Sequence, residues 1–313
     1  MQALQRPLTL FSSLLFLCLV SLALEPQKPD LQPTPAADVT KITFTATVLD
    51  RGLRVVTDLK AEDFTLFENG RPQPIQSVTF NDMPACVGVL VDRSGSMRSR
   101  LREATDAVMD LVRAGHPENQ YFIVNFNNEP YLDQELTRDK KLIEQALERG
   151  EARGGTALYA TVIAAADHLA RAGQCSRRAL VIFSDGEDNS SRKTLEQAVA
   201  AIRSAGNPVV YAIGLPNEHM QQYQNSRHAL QTLAIPTGGI VFFGSDFKEI
   251  GRMTHWAAEE LRSQYSVTYA PVNVHSKGSR NLKLVARADG GKSLEVRMNV
   301  ATTIERPGIA PIK

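Results

Sequence analysis

Three short runs hold the residues of this chain best suited to chemistry. They are Asp92-Arg93-Ser94-Gly95-Ser96, Gly154-Gly155-Thr156 and Ser184-Asp185-Gly186. Together they supply two carboxylates, Asp92 and Asp185, and three hydroxyls, Ser94, Ser96 and Thr156. All five are hard oxygen donors of the kind that suits Mg²⁺, Mn²⁺ or Ca²⁺. Gly95 allows a tight turn between the two serines, and the Gly154-Gly155 pair allows close backbone approach before Thr156.

Signatures of catalysis are missing around these runs. No Gly-x-Ser-x-Gly elbow occurs. Gly291-Lys292-Ser293 ends like a phosphate-binding loop, but Ala286 stands where its first glycine belongs. Ser245-x-x-Lys248 has no later Lys-Thr-Gly, and the six histidines show no metal-ligand spacing. A serine two positions after Asp92, where a second aspartate would be needed, weakens a phosphoryl-transfer reading. No general base stands beside these five side chains, so the reading is a binding protein and not an enzyme. Asn189-Ser190-Ser191 is a glycosylation sequon that matters only in a eukaryotic secretory pathway. The formal net charge of +1 gives no case for nucleic acid or an anionic membrane as partner.

The elements that must position these runs follow from apolar periodicity. Val87 to Val91 is an uninterrupted apolar run, the pattern of a strand buried on both faces in a parallel sheet. Asp92 begins where that strand ends, and in open α/β sheets ligands bind beyond the carboxyl ends of strands. Helical spacing at Leu101, Ala104, Val108, Leu111 and Val112 comes next, then a strand at 121–126. Helices follow at 142–147 and 158–169, and a second strand, 179–183, ends in Asp185. A helix at 195–202, a strand at 208–213, a short helix around Leu230 and Leu233, a strand at 240–243 and a helix over 250–261 complete the alternation. Strand and helix alternate across residues 84–263, which predicts an α/β domain with a mostly parallel, doubly wound sheet.

Both flanks read as β. Residues 40–83 alternate in short runs around Asn69-Gly70, a strong hairpin signal. Residues 264–303 alternate at Tyr265, Val267 and Tyr269, at Leu282, Leu284 and Ala286, and at Leu294, Val296 and Met298. Each flank is too short for its own sandwich. The economical expectation is one β-sandwich from both ends with the α/β domain inserted; two separate β extensions are the alternative. Residues 304–313 read as a flexible tail.

The amino terminus reads as an export signal. Arg6 precedes an apolar stretch from Leu8 to Leu22, with small residues before a cut after Ala23. Residues 24–39, with four prolines from Glu25 to Asp38, read as a linker. An uncleaved anchor is the alternative, and Leu17 before Cys18 argues against lipidation. No later stretch has the apolar length of a membrane span. The expected location is secreted, periplasmic or cell envelope.

The ordered set Asp-x-Ser-x-Ser, Gly-Thr and Ser-Asp-Gly, each after the right element, resembles the metal-ion-dependent adhesion site of von Willebrand factor type A domains. The similarity covers roughly residues 84–263 and implies a Rossmann-like fold. Flanking segments, DFTLFENGRPQPIQSVTF before and LRSQYSVTYAP after, are similar to a bacterial secreted, acidobacterial-type subgroup. The resemblance implies that Ser94, Ser96 and Thr156 coordinate a divalent metal, Mg²⁺ (or Mn²⁺ or Ca²⁺). Asp92 and Asp185 would bind directly or through water. An Asp or Glu from a partner protein would fill the remaining position. It leaves two alternatives: a metal-assisted hydrolase or phosphatase, and an envelope protein whose metal only stabilises the fold.

Four neighbours complete the candidate set. Arg93 is expected to point outward, either to meet a partner's carboxylate or simply as a solvated arginine. Gly155 borders the site. Glu187 and Asp188 are either outer groups around the metal or a solvated acidic loop. In the family fold the strands ending at Asp92 and Asp185 are neighbours. Cys86, six residues before Asp92, and Cys175, ten before Asp185, then fall near the amino ends of those strands. Export permits a disulfide there, though two free, half-buried thiols are the default expectation.

Overall fold

The computed structural model describes residues 41–172, 175–215, 220–244, 247–272 and 280–305. The expected signal peptide (1–23) and linker (24–39) lie outside the described residues, as does the tail beyond Glu305.

Fourteen strands and six α-helices, with four short 3-10 turns between them, make up the described residues. The first four are strands: β1 (Lys41–Leu49), β2 (Phe64–Glu68), β3 (Arg71–Gln73) and β4 (Ile75–Asp82). The alternating part follows with β5 (Ala85–Asp92), α1 (Leu101–Ala114), β6 (Gln120–Phe126), β7 (Pro130–Thr137), α2 (Lys140–Leu147) and α3 (Leu158–Ala172). It continues with β8 (Arg177–Ser184), α4 (Leu195–Ser204), β9 (Val209–Gly214), α5 (Met220–Ala234), β10 (Val241–Phe243) and α6 (Phe247–Arg262). Strands β11 (Ser263–Tyr269), β12 (Leu282–Ala288), β13 (Lys292–Ser293) and β14 (Glu295–Glu305) close the chain.

The central sheet has the order β10-β9-β8-β5-β6-β7. Every pairing is parallel except β6 with β7. All eight residues of β5 are buried, as an uninterrupted apolar run requires between two helical layers. Its side chains alternate between two cores. Val87, Val89 and Val91 pack with α1, α2 and α6, whereas Cys86 and Leu90 pack with α3, α4 and α5. Each fully buried Val, Leu or Ile contributes about 1.5–3 kcal/mol, so this double layer fixes β5 rigidly. Helix starts are set locally. Asp139 accepts from the Lys141 amide at 2.8 Å, and Thr194 and Gln197 form a reciprocal capping box.

Two four-stranded sheets, β14-β1-β11-β4 and β13-β12-β2-β3, each mix strands from both flanks. Their facing sides share one core that includes Phe44, Leu66, Tyr265, Tyr269 and Leu284. The flanks therefore build one sandwich, with the α/β unit inserted between β4 and β11. The β2–β3 turn places Asn69 at φ 50° and Gly70 at φ 78°, the left-handed pair that a tight hairpin needs.

The insertion points are fastened together. Arg177, at the amino end of β8, donates to the carbonyls of Asn81 (2.7 Å), Arg262 (2.6 Å) and Met83 (3.5 Å). These carbonyls lie where the chain leaves the sandwich after β4 and re-enters it before β11. Burial pushes the Arg177 guanidinium down to about 10, which leaves it charged at neutral pH. Asp82 and Arg262 pair across the same two crossings.

Four expectations are corrected. Cys86 and Cys175 form a disulfide, with Cα atoms 5.7 Å apart, because adjacent parallel strands β5 and β8 bring them side by side. An antiparallel edge strand, β7, follows β6; half-exposed and irregular in register, it lacks a clean period. Helix α5 is 15 residues long, its first turns polar and so invisible to apolar spacing. Strand β14 runs to Glu305, pairing with Lys41, so residues 304 and 305 belong to a strand and not to the tail.

Candidate metal centre

Asp92 ends β5, and Ser184 ends the neighbouring strand β8. Register alone puts them at one level, since Val91 pairs with Phe183. The Ser184 hydroxyl donates to Asp92 Oδ2 at 2.6 Å, and the Ser94 amide donates to Asp92 Oδ1 at 2.8 Å. Each carboxylate oxygen thus receives one donor and keeps acceptor capacity. Ser184 Oγ also accepts from the Gly186 amide at 2.9 Å, which holds the turn after Asp185.

The two serines of the first loop meet directly, Ser94 Oγ to Ser96 Oγ at 3.0 Å. The Ser96 hydroxyl donates to the Asp185 carboxylate, and Asp185 Oδ1 accepts from the Glu187 amide at 3.2 Å. Asp92, Ser94, Ser96 and Asp185 are therefore linked into one cluster. Ser96 alone of them is exposed and marks the solvent side.

Thr156 is buried on the third loop, which is tied to both others. The Gly95 amide donates to the Gly154 carbonyl at 3.0 Å. The Asn189 and Ser190 amides donate to the Thr156 carbonyl, and the Thr156 amide donates to Asn189 Oδ1 at 2.8 Å. The glycine pair is required here. Gly154 sits at φ +77°, and a Cβ on Gly155 would stand 2.1 Å from Ser190 Oγ.

Burial and the charge of Asp185 together push Asp92 up to about 7, against the opposing pull of the Ser184 and Ser94 donors. Burial is also the main cause that raises Asp185. Among the described residues, Asp92 meets hydroxyls, an amide and another carboxylate, with no guanidinium or ammonium bonded to it. That arrangement is costly by itself and is relieved by a cation. Among the described residues no cluster of three or more His, Cys, Asp or Glu could hold a metal. A cation at this cluster would meet two acids and the hydroxyls of Ser94 and Ser96, with Thr156 on the adjoining loop, a donor set that fits a hard divalent ion retaining waters.

The outer candidates fall differently. Arg93 does not point outward. It is 3% exposed and its guanidinium faces the carboxyl end of α2, donating to the Leu147 and Gly150 carbonyls and to Asn125 Oδ1. Free carbonyls at a helix end are a natural guanidinium site. The Asp188 carboxylate accepts from the Tyr159 amide at 2.7 Å and the Ser191 amide at 3.1 Å, so it caps the start of α3. Glu187 bonds Asn189 Nδ2 at 3.1 Å. Residues that spacing did not single out also hold the loops. Asn128 Oδ1 accepts from the Gly155 amide at 2.7 Å, and Ser184 and Asn189 act as above. Only Ser184 had a signal, its place in the Ser-Asp-Gly run.

Beside these loops lies a cleft of about 230 Å³ whose lining includes Tyr131, Arg149 and Arg153. The Arg153 amide donates to the Arg93 carbonyl at 2.9 Å, which joins this cleft to the first loop.

Comparison with known proteins agrees with this architecture. The von Willebrand factor type A domain model matches residues 87–187. Curated proteins give no match. Among solved structures, von Willebrand factor type A from Catenulispora acidiphila aligns at 13% identity, over 87% of this chain and 74% of its own, with TM-score 0.50. The vWF domain of the type V pili tip protein Mfa5 from Porphyromonas gingivalis aligns at 13% identity over 55% and 94%, TM-score 0.45. Proximal thread matrix protein 1 from the mussel byssus, with a zinc occupied MIDAS motif, aligns at 17% identity over 62% and 50%, TM-score 0.48. At 13% identity and TM-score 0.50, the likeness to the Catenulispora acidiphila protein is one of fold. With the match at residues 87–187 spanning both acid-bearing strand ends, the chain carries a von Willebrand factor type A domain.

Proposed function

We propose that this chain is a secreted protein-binding module that docks an Asp or Glu side chain of a partner protein through a divalent cation. Asp92, Ser94, Ser96, Thr156 and Asp185 would hold the cation, Mg²⁺ with Mn²⁺ or Ca²⁺ as alternatives. The supporting observation is the buried Asp92–Asp185 pair, linked through hydroxyls: burial raises both acids, and the charge of Asp185 raises Asp92 further. Such a pair demands positive charge, and the neutral hydroxyls do not neutralise it.

The cation, when bound, supplies that charge and an open position for a partner's carboxylate. The chain's own residues orient the donors. Ser184 and the Ser94 amide fix the Asp92 carboxylate, and the Glu187 amide fixes Asp185. The Gly95–Gly154 contact holds the Thr156 loop against the serine loop. A partner's residues flanking its acid would reach Arg153 and Tyr131 in the adjoining cleft. Among the described residues no helix is long and apolar enough to cross a membrane.

The test is capture of partners from the native organism with Mg²⁺ and with EDTA, using wild type and Asp92→Ala. Capture that needs both Mg²⁺ and Asp92, from a domain that stays folded, is the expected result. Capture that survives EDTA and the substitution alike would sink the reading.

A further inference from the structure

At the opposite end of β8 a second cleft, of about 260 Å³, lies between the α/β unit and the sheet β14-β1-β11-β4. Arg178 is the second residue of β8 and Ser184 the last, so about 20 Å of strand separates this cleft from the metal loops. The ionisable side chains lining it are Arg177 and Arg178, and no Asp or Glu is among them.

The two arginines differ. Arg177 is bound to three backbone carbonyls, as described above. Arg178 has no ion pair or side-chain hydrogen bond among the described residues. Gly206 makes room for it: a Cβ there would stand 2.5 Å from Arg178 Nη2, and the backbone is at φ +83°. The guanidinium is thus admitted to the cleft by a glycine and left unpaired within it.

A second observation concerns Gln264 of β11. Its residue is 5% exposed, it lines the cleft, and its side-chain amide has no hydrogen-bond partner among the described residues. Its side-chain polar atoms keep some exposure, and the cleft is the space they line. Asn207 and Ser266 add further polar groups to the lining.

We propose that this cleft binds a small oxyanion, a carboxylate or phosphate group, between the Arg178 guanidinium and the Gln264 amide. The planar guanidinium fork matches both groups in a two-point geometry. The amide of Gln264 supplies a third donor from the opposite wall. Arg178 and Asn207 belong to the α/β unit and Gln264 and Ser266 to the sandwich, so the anion ties the two together where the inserted unit meets its mount. Sites at domain junctions are a common place for small ligands.

A ligand that binds only the folded state raises the unfolding temperature with its concentration. The test is thermal unfolding of the full chain against inorganic phosphate and, separately, succinate, with sodium chloride holding ionic strength constant. A saturable rise is expected in wild type. Arg178→Ala should weaken the apparent affinity at least tenfold, and Asp92→Ala should leave it unchanged. A rise with phosphate alone assigns a phosphate group, and a rise with succinate alone a carboxylate. No saturable rise with either anion, or an equal rise in Arg178→Ala, overturns the proposal. Should Arg178→Ala fail to fold, Gln264→Leu takes its place in a ³¹P and ¹H NMR titration with the same two anions. Unchanged titration curves in that variant again overturn it.

Discussion

The two ends of the central sheet carry opposite charges in buried places, and they handle them differently. At the carboxyl end, Asp92 and Asp185 face each other with hydroxyls between them, and Asp92 is pushed up to about 7. At the amino end, Arg177 is also buried, yet three backbone carbonyls accept hydrogen bonds from its guanidinium. The arginine is neutralised by dipoles of the chain itself and so can fasten the two crossings permanently. Asp92 instead has a second carboxylate beside it, and its hydroxyl and amide donors do not offset the rise that burial and that charge cause. A buried charge satisfied within the fold reads as structure, and one left to an external partner reads as a site.

The largest effect should come from removing the internally satisfied charge. Arg177→Met leaves the carbonyls of Asn81, Met83 and Arg262 without their donor at the junction. A loss of about 3–5 kcal/mol is expected in urea unfolding, the scale for breaking a buried charged network. A loss under about 1 kcal/mol would show that the junction does not depend on it and would break the comparison.

The acid end should respond to pH and metal instead. In EDTA, folded Asp92 has a pKa near 7 and unfolded Asp92 one near 4. Between those values the folded state keeps a proton that the unfolded state has released. Stability therefore falls as pH rises from about 4 through about 7, by on the order of 4 kcal/mol at the top of the window. Glu260, buried and pushed up to about 8 against the pull of Arg297, adds a slope of the same sign. Asp92→Asn should remove the Asp92 share and leave those of Glu260 and of Asp185, which burial also raises, measured as urea midpoints at pH 5 and pH 8. Mg²⁺ should flatten the wild-type slope and have no effect on the variant. A wild-type slope unchanged by Asp92→Asn would remove the case for a strained acid.

The disulfide bears on the amino end alone. Reduction, or Cys86→Ser with Cys175→Ser, opens a cross-link spanning 89 residues. The cost should be about 2–4 kcal/mol, seen as a lower unfolding temperature with Mg²⁺ affinity unchanged by calorimetry. A fall in Mg²⁺ affinity would mean that the two ends are coupled through β5 and β8.

What the sequence made legible follows the same division. The acid end could be read because its elements are strongly periodic and its residue types are unusual at strand ends. Val87 to Val91 could be only a buried strand, and the run from Asp92 to Ser96 could only follow it. The shared sandwich was legible because neither flank had enough strands to bury a face alone. The amino end was opaque, since its contacts run from side chains to distant backbone. Nothing in the spacing of Arg177 announces carbonyls at Asn81 and Arg262, and nothing at Arg93 announces the end of α2 some 54 residues later. The Cys86–Cys175 bond depends on strand order in the same way. Strand β7 stayed hidden because Tyr131 and Leu132 are both exposed, which erases its alternation.

The smallest effect should come from the residue next to Arg177. Arg178 has no partner to lose among the described residues, so Arg178→Ala should change stability by no more than about 0.5 kcal/mol in a buffer of sodium chloride alone. One residue along the same strand, an arginine of identical chemistry would then differ from Arg177 by several-fold in its structural weight. The two share their chemistry and adjoin in the strand, but Arg177 is buried with internal acceptors and Arg178 is half-buried without them. A large loss in Arg178→Ala under those conditions would place Arg178 with Arg177 as a fastener of the junction. The polarity of the two sheet ends would then be a matter of architecture alone.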